Sequence, residues 1–142
     1  MASAVAAVPP AAGVTIPAWA AKQIDNVHVA ALRDGRVGRA TSAWSECMAD
    51  RGFSYPNQEA IVADLQQRSA ALRTADVRVN GVPAALQGQL ESMRSVEMAI
   101  AAADADCRPA LETVVSDVTT EYEATYLAKN GLEIRDAMVK GR

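Results

Sequence analysis

The most constraining feature of the sequence is a long apolar seam in its C-terminal half. Nine seam positions follow a strict alternation of three- and four-residue spacings: Leu90, Met93, Glu97, Ile100, Asp104, Cys107, Leu111, Val114 and Val118. Such spacing places one face of an α-helix against other helices at a shallow crossing angle. The seam predicts a helix from about 84 to about 129, with Tyr122 and Tyr126 extending the same face. This helix would form the spine of the fold.

Two local signals modify that long helix. Pro109 lies inside the seam, where a proline removes a backbone donor and clashes with the carbonyl of Ala105, at a cost of about 3 kcal/mol. We therefore expect a kink or a break of the helix near Pro109. The pair Asn130-Gly131 is a typical stop signal. We expect the helix to end there and a short helix to follow over 132–139.

The first half of the chain predicts three shorter helices. They span about 18–33, 37–50 and 58–75, with Gly52 ending the second and Asn57 capping the third. The stretch 77–83 contains the turn signal Asn80-Gly81 and is interpreted as a loop. The predicted fold class is all-α: a small helical bundle or a helical hairpin with a long C-terminal helix.

Residues 1–18 form a different kind of segment. They carry no charged side chain and are interrupted by Pro9, Pro10, Gly13 and Pro17, which favours an extended arm or tail over a helix. Either the arm is unattached or it lies against the body or a partner. Its candidate partner-binding residues are Val5, Val8, Val14, Ile16 and Trp19. Residues 19–142 are predicted to form one helical domain.

Composition limits the classes of function. The formal charge of −3 lacks the basic surplus typical of nucleic-acid binders. No run of 18 apolar residues is free of proline, glycine or charge, so no membrane span is expected. Two cysteines and one histidine are too few for a zinc site of Cys and His ligands or an iron–sulfur cluster. We expect no cofactor and no metal.

The two cysteines occupy the apolar seams of their helices. If the helices of Cys47 and Cys107 pack antiparallel, the two sulfur atoms can face each other, and small neighbours such as Ala43 and Ala103 permit the close approach that a disulfide needs. The alternative is two buried free thiols that act as small apolar side chains.

Two seam positions carry carboxylates. Glu97 and Asp104 are seven residues apart on one predicted face, and a buried carboxylate is costly unless it is paired. We expect a buried polar network of these residues with Trp44 and Arg51, Arg108 being a further candidate partner. The alternative is a ligand or metal site, although the Glu-x-x-His pairs of bundle di-metal sites are missing.

Other chemistry-bearing motifs are sparse. The chain has no G-x-S-x-G elbow, P-loop or G-x-G-x-x-G, and a single histidine is weak support for a catalytic triad. We therefore expect a non-enzymatic protein. Trp19, Tyr122 and Tyr126 are interpreted as an aromatic patch that either fills an edge of the fold or forms a binding platform.

One longer pattern ties several of these residues together. Trp44, Cys47, Met48, Gly52, Phe53 and Tyr55 spell W-x-x-C-M-x-x-x-G-[YF]-x-[YF], and Glu97, Ala101, Ala103, Asp104 and Cys107 spell E-x-x-x-A-x-A-D-x-x-C. The pair of motifs resembles a group of uncharacterised actinobacterial secreted proteins and lipoproteins. The resemblance implies an exported, disulfide-linked helical domain in the secreted fraction or the cell envelope, and it implies no activity. A lipid anchor on a precursor stays open.

The sequence thus supports two functional hypotheses. The first is a non-enzymatic exported or cell-surface module that binds another protein chain, itself or a different one, through the arm and an exposed helical face. The second is a small-ligand or metal carrier that uses Glu97 and Asp104 in a polar interior site.

Overall fold

A computed structural model of the chain describes residues 17–73 and 84–140. These residues form four α-helices and no β-strand: α1 (Ala18–Leu32), α2 (Gly35–Asp50), α3 (Gln58–Arg73) and α4 (Ala84–Lys140). The predicted all-α class is confirmed. At a rise of 1.5 Å per residue, the 57 residues of α4 span about 85 Å, which makes this helix the spine of the molecule.

The first three helices follow one another along α4 and run antiparallel to it. Near the start of α1, Gln23 contacts Tyr126, whereas further along, in α2, Trp44 contacts Asp104. Numbers thus rise along the first three helices as they fall along α4. In α3, Leu65 lines a groove together with Met93. The fold is therefore a helical hairpin in which α4 forms one side and the three successive helices form the other.

The junctions between the short helices follow from local sequence. Asp34 caps α2, since its carboxylate accepts from the backbone N–H of Arg36 at 2.9 Å. Gly52 follows the C-cap of α2 with a φ of +89°, a left-handed conformation that glycine adopts without steric cost. Asn57 caps α3 by accepting from the N–H of Ala60 at 2.9 Å. The predicted roles of Gly52 and Asn57 are confirmed.

One prediction about α4 is wrong: the helix does not end at Asn130-Gly131, because it runs without interruption to Lys140. Of the kink or break expected at Pro109, the structure excludes the break, since the helix continues through that residue. Pro109 is exposed on the outer side of α4, where water can bind the carbonyl that the proline leaves free. Asn130 donates to the carbonyl of Tyr126 from within the helix, and Gly131 has no positive φ. The separate helix over 132–139 is therefore the last part of α4.

The core lies between α4 and the first three helices. One cluster contains Trp44, Met48, Ile100, Ala103, Cys107 and Leu111, and a second contains Ala31, Val37 and Val118. The predicted seam is thus buried from Ile100 to Val118, apart from half-buried Asp104 and Val114. Before Ile100 it departs from the prediction, since Leu90 is 44% exposed and Val96 packs against the core in the place expected for Glu97.

Several predictions fall on other parts of the chain. The arm residues Val5, Val8, Val14 and Ile16 and the loop 77–83 lie outside the described residues. Trp19 is described and is 39% exposed in the first turn of α1. Across 17–73 and 84–140, none of the helices is long and apolar enough to cross a membrane.

Candidate functional site

The two cysteines are joined. Cys47 and Cys107 form a disulfide with a Cα–Cα distance of 5.8 Å that links α2 to α4. Cys107 is buried in the same cluster as Trp44 and Met48, and Cys47 packs against that cluster. The predicted disulfide is therefore present, and the alternative of two free thiols is wrong.

Asp104 lies beside this disulfide and is fully engaged. Its Oδ1 accepts from the indole Nε1–H of Trp44 at 2.9 Å and from Nε2 of Gln58 at 3.3 Å. Its Oδ2 lies 2.9 Å from Nη2 of Arg108, one turn further along α4. The carboxylate therefore joins α2, the start of α3 and α4, and it satisfies the N–H of an indole that is 98% buried, since Trp44 is 2% exposed.

The predicted network needs two corrections. Glu97 is exposed and lines the groove between α3 and α4, because the neighbouring Val96 is the residue that turns toward the core. Arg51 does not reach Asp104, because it pairs with Asp106 on the surface at 2.8 Å. Gln58 is the partner that the sequence reasoning missed, and no spacing signal places the first residue of α3 beside Asp104.

The contacts of Glu97 and Asp104 do not support the predicted carrier site. Glu97 lines the groove between α3 and α4, which Asp104 does not line, and both oxygen atoms of Asp104 have protein partners. Within the part of the chain that the structure describes, no three or more His, Cys, Asp or Glu side chains are grouped to hold a metal ion.

A second polar cluster fixes the connector between α2 and α3. The hydroxyl of Ser45 donates to the carbonyl of Tyr55 at 2.6 Å, and the hydroxyl of Tyr55 donates to Asp64 at 2.7 Å. Burial, with the Asp64 carboxylate beside it, raises the pKa of Tyr55. Arg68, 3.0 Å from Asp64, lowers the pKa of that carboxyl. Each side chain of the cluster bonds to another member, so the cluster stabilises the connector between α2 and α3.

A groove of about 440 Å³ lies between α1 and α4, near the free end of the hairpin. We call it the end groove, and its lining residues are Gln23, Asn26, Val27, Ala30, Tyr122, Thr125, Tyr126, Lys129 and Asn130. Apolar groups of Val27 and Ala30 and the two tyrosine rings share the surface with side-chain amides. The adjacent contact of His28 Nε2 with Glu123 Oε1, at 2.6 Å, holds α1 against α4.

The two tyrosines of the end groove are held at their hydroxyl ends. Tyr126 donates to Oε1 of Gln23, and Tyr122 donates to Oδ2 of Asp34 at 3.2 Å. Asp34 is itself held by Arg36, whose guanidinium keeps the pKa of that carboxyl well below its usual range. The hydrogen bond to Asp34 raises the pKa of Tyr122. The hydroxyl of Tyr126 is thus held by α1, and the hydroxyl of Tyr122 is held by the junction between α1 and α2.

Two exposed apolar side chains continue the helix faces of the end groove toward the free end of the hairpin, although they do not line the groove. Trp19 precedes Gln23, Asn26 and Ala30 at spacings of four, three and four, so it continues their face of α1. Leu132 follows Lys129 on the same face of α4 and is 70% exposed. The sequence reasoning named Trp19 and both tyrosines as an aromatic patch but could not place them around a groove.

Some donors in the end groove are unused by the protein. Asn26 and the Lys129 ammonium have no hydrogen-bond partner among the described residues, and Gln23 uses only its amide oxygen. The site can therefore offer fixed aromatic faces together with N–H donors.

Comparisons of the chain with protein-family models, with curated proteins and with solved structures give no match.

Proposed function

We propose that the chain is a non-enzymatic, exported or cell-surface module that binds a segment of another protein in the end groove. The observation that carries this proposal is the pair of tyrosine rings, Tyr122 and Tyr126, anchored at their hydroxyls beside unused N–H donors. Aromatic rings supply large contact areas at little entropic cost when they are fixed in advance.

The chemistry of the groove favours an extended, uncharged partner segment that contains proline. Such a segment adopts the polyproline II conformation, which has no internal hydrogen bonds and leaves its carbonyls free to accept. Grooves lined by aromatic side chains recognise such segments. Here the amides of Gln23 and Asn26 would donate to the carbonyls, while Val27, Tyr122 and Tyr126 would contact the aliphatic side chains.

Export is supported by the disulfide and by the sequence pattern around it. Disulfides persist in oxidising compartments and are rare in a reducing cytosol. The Cys47–Cys107 bond is integral to the core rather than a surface attachment, because Cys107 lies in the buried cluster with Trp44. The resemblance to secreted actinobacterial proteins includes both cysteines, Trp44 and Asp104.

A peptide selection tests the proposed function. The full chain is immobilised and used to select from a phage-displayed library of random ten-residue peptides. Selected peptides are then titrated against the wild type and two variants, Ala30→Arg and Ala21→Arg. Both alanines are exposed on α1, but only Ala30 lines the end groove. Ala30→Arg places a long charged side chain in the groove, and Ala21→Arg is the matched control on the same helix.

We expect enrichment of uncharged, proline-containing peptides, a loss of affinity of at least tenfold in Ala30→Arg and a change of less than twofold in Ala21→Arg. Circular dichroism checks that both variants keep the helical content of the wild type. A selection that enriches nothing, or peptides that bind both variants equally, would overturn the proposal.

A further inference from the structure

We infer that residues 5–12 of this chain occupy the end groove of the same molecule and compete there with the partner segment. The inference rests on the proposed function of the groove and adds a regulatory occupant to it. Three observations support it: the sequence of the arm, the hydrogen-bond donors of the groove and the position at which α1 begins.

The arm has the chemistry that the end groove selects. Residues 5–12 read Val-Ala-Ala-Val-Pro-Pro-Ala-Ala and contain no charged or hydrogen-bonding side chain. Pro9 and Pro10 lack backbone N–H groups, so the segment carries more acceptors than donors. The groove offers the complementary set, since the amides of Gln23 and Asn26 and the ammonium of Lys129 are available to donate.

The connection to α1 is long enough for the arm to reach the groove of its own molecule. Pro17 is the N-cap of α1. Gln23 lies about 9 Å and Ala30 about 20 Å further along the helix axis, at 1.5 Å per residue. Pro17 lies seven positions after Pro10, and seven steps along an extended polyproline chain span up to about 22 Å. Gly13, between them, permits the reversal of direction that this path requires.

Tethering favours the groove of the same molecule over that of a second copy. A segment that is attached to its site through a short linker has an effective concentration in the millimolar range, which exceeds ordinary protein concentrations. A partner segment must therefore displace the arm, and its apparent affinity for the full chain falls in proportion to arm occupancy.

Photochemical cross-linking in the full chain tests the inference. The photoreactive residue p-benzoylphenylalanine replaces Ala11, and the irradiated monomer is digested and sequenced by mass spectrometry. The same substitution is combined with Ala30→Arg, which obstructs the groove, and with Ala21→Arg, which does not line it. A further variant carries Pro9→Asp and Pro10→Asp to add charge to the arm.

We expect cross-links within one chain to 19–30 and 122–132, with a yield that does not change with dilution. The yield should fall at least fivefold in Ala30→Arg and in the double aspartate variant, and by less than twofold in Ala21→Arg. The double aspartate variant should also bind the selected peptides at least fivefold more tightly, because the competing arm has left the groove.

Cross-links to other parts of the chain, cross-linked dimers whose yield rises with concentration, or no cross-links would overturn the inference. These results are separable from a failure of the proposed function. If the selected peptides bind and are sensitive to Ala30→Arg while the arm does not cross-link, the groove is a partner site without an internal competitor. If no peptide is selected and the arm does not cross-link, both proposals fail.

Discussion

The indole Nε1–H of Trp44 donates to Oδ1 of Asp104 over 2.9 Å, and each of these residues lies three positions before a half of the Cys47–Cys107 disulfide. Because α2 and α4 run antiparallel, Trp44 and Asp104 lie about one turn to either side of the disulfide, and their hydrogen bond is a second link between the two helices. A buried indole N–H without an acceptor is costly, so Asp104 completes the core instead of interrupting it.

Loss of this acceptor should destabilise the fold. Asp104→Ala removes the partner of the Trp44 N–H and leaves it buried, which costs about 1–3 kcal/mol of unfolding free energy. The matched control is Glu97→Ala, which truncates an exposed carboxylate on the same helix and should change stability by less than about 0.5 kcal/mol. Urea unfolding followed by circular dichroism measures both. Equal losses in the two variants would contradict the assigned roles.

The disulfide should make a larger contribution. It closes a loop with a sequence separation of 60, for which chain entropy gives about 4 kcal/mol and typical measurements give about 2–4 kcal/mol. The variant with Cys47→Ala and Cys107→Ala should lose about 2–4 kcal/mol of unfolding free energy. Intact mass after alkylation of the denatured wild-type chain should show no added label before reduction and two labels after it. Two labels without reduction would contradict the bond.

Two glycines of similar exposure should respond to alanine with opposite signs. Gly52 has a φ of +89°, where an L-residue costs about 1–2 kcal/mol, so Gly52→Ala should lower the thermal midpoint. Gly38 lies inside α2, and an added Cβ meets nothing within 4 Å. Gly38→Ala should therefore raise stability by about 0.5–1 kcal/mol. Thermal unfolding measures both, and a stabilising Gly52→Ala would be inconsistent with the left-handed cap.

Acid should weaken the junction between α1 and α2. Arg36 lowers the pKa of Asp34, so the stability that this ionised carboxylate contributes is present above about pH 4, the unfolded value, and is lost as the pH falls toward its lower folded pKa. Asp34→Asn keeps a good helix cap but removes the charge. The difference in thermal midpoint between wild type and this variant should be largest near pH 7 and should shrink below pH 4.

The control for that pH series is Asp25→Asn, an exposed carboxylate on α1 with no hydrogen bond or ion pair among the described residues. Its thermal midpoint should follow the wild type across the series. A constant difference between wild type and Asp34→Asn from pH 2 to pH 7 would show that the Arg36 contact does not stabilise the fold.

The sequence predicted the buried face of α4 correctly where the seam residues are apolar. Between Ile100 and Val118 the spacing alone predicted the buried face of α4, because burial of apolar side chains dominates helix packing. At Glu97 the same extrapolation failed. There α2 has ended and α3 packs on α4, so Val96 turns inward and the carboxylate stays in water. Spacing within one helix does not specify which neighbour covers each turn.

Residues that disfavour a helix in isolation did not end α4. Pro109 and Gly131 each disfavour a helix, yet α4 passes through both. Packing of Cys107 and Leu111 on either side of Pro109 holds that helix together. The end groove was not predictable, because it depends on tertiary hydrogen bonds such as the one between Tyr126 and Gln23, which are 103 positions apart.

The most direct test of the account is the amide NMR spectrum of the ¹⁵N-labelled full chain, titrated with a peptide from the selection. Binding in the end groove predicts that the shifted resonances belong to 19–30 and 122–132, and that Ala30→Arg abolishes the shifts while Ala21→Arg preserves them. Shifts centred on the Asp104 network or on α3 would contradict the central claim that this protein binds its partner between α1 and α4.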